Sequence, residues 1–208
     1  MTAHPCNPWN PWIAFLVLAL TGACSRTPLP ELPALSMEKF LPAIRQDVQT
    51  ALDAAKARPN EAQANGRLGM VLHAYQQYAA AEVCYERAHR LDPREFRWLY
   101  YQATVLASQG KYETAGQTFE RALALRDYLP ARLQRAEALL SAGKLEESGR
   151  LFDSLTAQNP ELAQAHYGLG RVLSSMRQTR EAIAAFRKAC ELFPAYGASH
   201  YALALALQ

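Results

Sequence analysis

The sequence predicts an all-α chain built as a solenoid of stacked, antiparallel helix pairs. Three observations predict it. The stretch AAAEVCYERAHRLDP (79–93) keeps a small residue, an aromatic four later, Ala three later and Pro five later, and REAIAAFRKACELFP (180–194) keeps the same spacing. The aromatic recurs at Tyr85, Phe119, Phe152 and Phe186, at intervals of 34, 33 and 34 residues. Apolar residues between these marks recur every three or four positions, which is the period of an amphipathic helix.

The first residues set the context. Residues 1–23 hold no Lys, Arg, Asp or Glu and contain the apolar run WIAFLVLAL (12–20). Nine residues are too few to span a bilayer as a helix, which takes about 20, but they suit the apolar core of a secretory signal. LTGAC (20–24) resembles a bacterial lipobox, in which the Cys after a small residue takes a diacylglycerol and the signal is cut just before it. That resemblance implies a signal peptide over 1–23, lipidation at Cys24 and a bacterial envelope protein held by its lipid. Ser25 in place of Asp implies the outer membrane, facing the periplasm. Residues 24–41 carry several prolines and read as an extended, semi-rigid tether.

Pro42 is well placed in a first helical turn. The run PAIRQDVQTALDAAKAR (42–58) is helical in period and lacks a full unit, so 42–61 reads as a capping helix. Four units follow, at 62–95, 96–128, 129–162 and 163–196. In each, a first apolar stripe precedes the aromatic one: Leu68 and Leu72, Ala103 and Leu106, Ala136 and Leu139, Leu169 and Leu173. Gly110 and Gly143 lie between stripes and suit the left-handed residue that ends a helix. Residues 197–208 match the first helix of an incomplete fifth unit. One such pair cannot bury its own apolar face, so neighbours must stack.

This register resembles the tetratricopeptide repeat, and the resemblance covers residues 62–208. It implies a right-handed superhelix whose first helices line a concave groove that takes a peptide or protein segment. The groove side chains expected from helical period are Arg67, Met70, His73, Arg97, Tyr100, Tyr101, Thr104, Leu133, Glu137, Gln164, Tyr167, Arg171 and Tyr201. Tyr and Arg are enriched at interface hot spots. Gly66 and Met70 stand where a chaperone-binding groove would carry its Lys and Asn carboxylate clamp, so a chaperone tail is not the expected ligand.

Chemistry is thin by contrast. The chain has no CxxC, HExxH, P-loop or GxGxxG motif, and no catalytic residue, cofactor or metal is expected. A net charge of +3 without a basic run argues against nucleic-acid binding. Cys84 and Cys190 sit in units one and four with two units between them, too far for a disulfide, and read as free, buried thiols. His166 and His200, 34 apart on successive first helices, read as packing residues rather than a metal pair. The expectation is a non-enzymatic scaffold of the cell envelope. The alternative is a repeat region of a longer, enzymatic parent, and the uncovered apolar residues of 197–208 also allow self-association at that edge.

Overall fold

The structure is a computed structural model and describes residues 28–208; the signal peptide and Cys24 lie outside the described residues. All regular structure among these residues is helical. A short 3-10 turn, Met37–Lys39, precedes ten α-helices: α1 Pro42–Ala57, α2 Ala62–Ala74, α3 Tyr78–Leu91, α4 Phe96–Ser108, α5 Tyr112–Leu125, α6 Leu129–Ser141, α7 Leu145–Gln158, α8 Ala163–Ser175, α9 Thr179–Leu192 and α10 Gly197–Ala206. Each helix packs on the next one in the chain, from α1 to α10. None of them is long and apolar enough to cross a membrane.

The four hairpins are α2/α3, α4/α5, α6/α7 and α8/α9. Each turns on the same device. The N–H of the residue that opens the second helix returns to a carbonyl five residues back: Gln77 to Leu72 at 2.8 Å, and Lys111 to Leu106, Lys144 to Leu139 and Gln178 to Leu173 at 2.9 Å. Such a closure needs a left-handed residue just before it. Gly110 and Gly143 supply it at φ 75° and 76°, as the sequence predicts. At the other two turns Gln76 and Arg177 take φ 59° and 61° despite their side chains. The turn is therefore imposed by stacking, and it forms even where the residue opposes it.

Tyr85, Phe119 and Phe152 are wholly buried and Phe186 is 1% exposed. Each fits over small residues of its own or the next first helix. An added Cβ on Gly69 would meet Tyr85 at 2.8 Å, and one on Gly170 would meet Phe186 at 2.5 Å. Ser148, where the register has a small residue, is buried and donates to the Ala136 carbonyl at 2.8 Å, so its hydroxyl is satisfied inside unit three.

The stretch before α1 is extended, and it is docked rather than free. Leu32, Leu35 and Met37 pack on the core of the first unit, and Phe40 is 6% exposed. Arg87, on α3, is itself 6% exposed. Its Nε donates to Asn65 Oδ1 at 2.7 Å, one Nη to the Pro59 carbonyl at 3.0 Å and the other Nη to the Pro30 carbonyl. Arg90 donates to the Pro28 carbonyl at 2.9 Å.

Candidate binding groove

Each first helix touches the next one, α2 with α4, α4 with α6, α6 with α8 and α8 with α10. No comparable packing joins successive second helices among the described residues. The row of first helices is therefore the tighter, inner one, and its outer surface is a groove. All the groove residues expected from period lie on these helices. They divide by depth.

Arg67, Met70, Arg97, Gln164 and Tyr201 are exposed. His73, Tyr100, Tyr101, Thr104, Leu133, Glu137, Tyr167 and Arg171 are half-buried and form the floor. Tyr100 is central to it. Its ring lies 5.4 Å from Tyr128, 5.5 Å from Tyr101 and 6.0 Å from Phe119, centroid to centroid. Its hydroxyl accepts from Gln134 Nε2 at 3.0 Å, and Gln134 Oε1 lies 3.1 Å from the Thr104 hydroxyl. Burial raises the Tyr100 pKa first, with Tyr128 adding to it. Tyr100 thus does two things: it joins units two and three, and it shows one ring edge to the groove.

Beside it, Met70, His73, Tyr78, Tyr85, Tyr101 and Thr104 line a cavity of about 500 Å3. The His73 ring meets Tyr78 and Tyr85 edge-on, at 5.9 and 6.2 Å. Burial lowers the His73 pKa, so the ring is neutral at pH 7. A pocket of rings and a thioether above a neutral floor suits an apolar or aromatic side chain. At the far end a smaller space of about 300 Å3 lies among Arg171, Ser174, Ser175, Phe186 and Leu205. Another, of about 390 Å3, opens between α5, α6 and α7 beside Leu123, Arg132, Arg135 and Leu151.

The three groove arginines are not equivalent. Arg97 pairs with Glu95 at 2.9 Å, and Arg171 pairs with Glu137 across α8 and α6. Arg67 has no carboxylate within ion-pair distance among the described residues. It is the groove cation with charge to offer an incoming carboxylate. Helical period puts all three on the groove alike; the pair of Arg97 with Glu95 is local, while that of Arg171 with Glu137 joins two units and cannot be read from period.

Two expectations need correction. His166 and His200 do not pack between helices. His166 is half-buried and His200 exposed, and each ring Nε2 lies against the carbonyl of the proline six residues before it, Pro160 at 2.9 Å and Pro194 at 2.8 Å. The reason is local: the first turn of the helix turns that side chain back over the loop, where the carbonyl lacks a backbone donor. Asn65 does the same to Pro59 at 3.0 Å. Cys190 is only half-buried, its thiol 3.3 Å from the Ser199 hydroxyl, because α10 covers just part of α9; Cys84 is buried as expected. Among the described residues no three His, Cys, Asp or Glu lie close enough to hold a metal.

Fold and groove together define a class: a helical-repeat solenoid with an inner groove. Family models described as tetratricopeptide repeat match residues 76–130, 106–172 and 163–196, which tile more than half of the 208 residues. The chain belongs to the tetratricopeptide-repeat family.

Its relatives agree on the fold. It is 33% identical to DnaJ homolog subfamily C member 3 of Mus musculus over 123 residues, 57% of this chain and 24% of that protein. The Homo sapiens protein of that name is 35% identical over 94 residues, 45% of this chain and 19% of the other. The chain thus spans a quarter or less of these relatives' length. Among solved structures, YrrB, described as a TPR protein with an unusual peptide-binding site, superposes with a TM-score of 0.69 at 24% identity, over 77% of this chain and 83% of that one. MamA from Desulfovibrio magneticus RS-1 gives 0.65 at 23% identity, over 70% and 82%. At these identities the likeness is one of fold.

Proposed function

We propose that this protein is a non-enzymatic scaffold that holds an extended protein segment in its inner groove. The observation that carries the reading is the Met70, His73, Tyr85, Tyr101 cavity with unpaired Arg67 one turn away on the same helix. A segment with an apolar or aromatic anchor followed by an acidic group suits it. The YrrB structure, with its peptide-binding site, supports the same use of this fold. The proposal extends to location, and the lipobox-like LTGAC supports it: a scaffold of the bacterial envelope, lipid-anchored through Cys24 at the periplasmic face of the outer membrane, that aids assembly of an envelope complex.

The test uses Arg67→Glu and Met70→Asp, because both residues are exposed and their loss leaves the hairpins intact. Envelope extract is passed over the parent and the double variant, each checked for fold by circular dichroism. A partner held by the parent and lost by the folded variant supports groove binding; equal retention overturns it. A second reading, a repeat region working inside a longer and enzymatic protein, is favoured by the greater length of the curated relatives. The mass of the protein in its native cells decides it.

A further inference from the structure

The stretch 28–40, which composition marks as a tether, is part of the folded first unit. Three things fix it. Leu32, Leu35, Met37 and Phe40 pack on the core of the first unit. The buried guanidinium of Arg87 spends its hydrogen bonds on oxygens of Asn65, Pro59 and Pro30, so it ties the stretch to both α2 and the loop before it. Arg90, one turn on, holds the Pro28 carbonyl. A chain held at Pro28, Pro30 and Phe40 has no slack between those points.

We propose that residues 28–40 act as a fixed strap, and that a lipid on Cys24 thereby presses one defined rim of the solenoid against the bilayer surface. This rests on the reading that Cys24 carries the lipid. Four residue steps separate Cys24 from Pro28, and a fully extended chain reaches about 3.3–3.6 Å per residue, so the anchor lies within roughly 14 Å of Pro28. Pro28 is bonded to Arg90, near the C-terminal end of α3. The rim that includes the loop after α3, with Arg94, therefore faces the lipid. The opposite rim, with Gln77 at the start of α3, stands about 20 Å further away, because α3 has 14 residues at about 1.5 Å rise each.

Charge does not drive the contact. Arg58 pairs with Glu61 at 3.0 Å and Arg90 with Glu86, and Arg94, which has no ion pair among the described residues, lies two residues after Asp92, whose carboxylate accepts its backbone N–H. The strap and the anchor set the orientation, and high salt leaves it unchanged.

The experiment uses the lipidated full-length protein, with Cys190→Ala to remove the accessible thiol. A fluorophore is attached at Arg94→Cys or at Gln77→Cys. The protein is added to phosphatidylcholine vesicles carrying a nitroxide headgroup quencher. The expected result is strong loss of fluorescence at position 94, little at position 77, and no effect of salt. A flexible Gly/Ser insert of about 20 residues after Thr27 adds a reach of about 25 Å and abolishes the difference without touching the fold. Equal quenching at 94 and 77 without the insert, on vesicles that do bind the protein, overturns the strap orientation alone. Failure of the protein to bind vesicles at all overturns the lipid reading, and the orientation with it.

Discussion

The indole of Trp98 fills the space that a Cβ on Gly66 would occupy. Trp98 is 2% exposed and sits on α4, while Gly66 sits on α2, so this contact joins the first unit to the second. Phe152 repeats the relationship at Gly168, between units three and four. The missing side chain is what lets the large ring lie against a helix backbone.

Gly66→Ala and Gly168→Ala therefore destabilise. Overpacking of this kind costs about 1–3 kcal/mol, against which Ala gains up to about 1 kcal/mol in helix propensity. Gly149→Ala goes the other way, since its Cβ would meet Val172 at an ordinary 3.4 Å. Urea unfolding midpoints should fall for the first two and rise for the third.

Gln76 and Arg177 hold left-handed backbone that glycine takes freely. A side chain there costs about 1–2 kcal/mol, part of which the looser unfolded chain of a glycine variant gives back. Gln76→Gly and Arg177→Gly should each raise the thermal midpoint, while Gly110→Ala and Gly143→Ala should lower it.

Much of this was legible in the sequence because it is periodic. A 34-residue register fixes where an aromatic must be buried, and Tyr85, Phe119, Phe152 and Phe186 follow it. What period cannot carry is contact between distant, non-equivalent positions. Arg87 reads as an exposed helix residue until Pro30, 57 residues earlier, is brought to it. Gly66 looks like any small residue until Trp98 lies on it. In the groove, the first helices follow from the register, yet the pairing of Arg171 with Glu137, and the unpaired state of Arg67, depend on side chains from neighbouring units.

Stability should fall at both ends of the pH range. Burial lowers the pKa of His73 and of His89, so the fold favours their neutral rings. Their contribution is complete above the ordinary value of 6.5 and is lost as pH drops below it. Burial pushes the Cys84 thiol up from 9.0 to about 12, so its contribution is complete below 9.0 and is lost as pH rises towards 12. Thermal midpoints from pH 5 to 11 should show both shoulders, and Cys84→Ala should flatten the alkaline one. At pH 8 a disulfide reagent should label Cys190 in the native protein and spare Cys84.

Glu137→Gln should change stability by less than about 1 kcal/mol, because the pair with Arg171 is more than a third exposed on both sides. The same change frees the Arg171 guanidinium. Binding of an acidic segment should tighten, and the gain should vanish at high salt, as titration calorimetry with any captured partner will show.

The central claim is that the inner row of first helices is the working face. It is tested most directly by photo-crosslinking. Met70 on the groove and Leu125 on a second helix are exposed to nearly the same degree, 44% and 43%. Benzoylphenylalanine placed at one or the other in the intact protein, in its own cells, differs in face alone. A discrete crosslinked partner from position 70 and none from position 125 is the predicted result. The same partner from 125, or from 125 only, would contradict it.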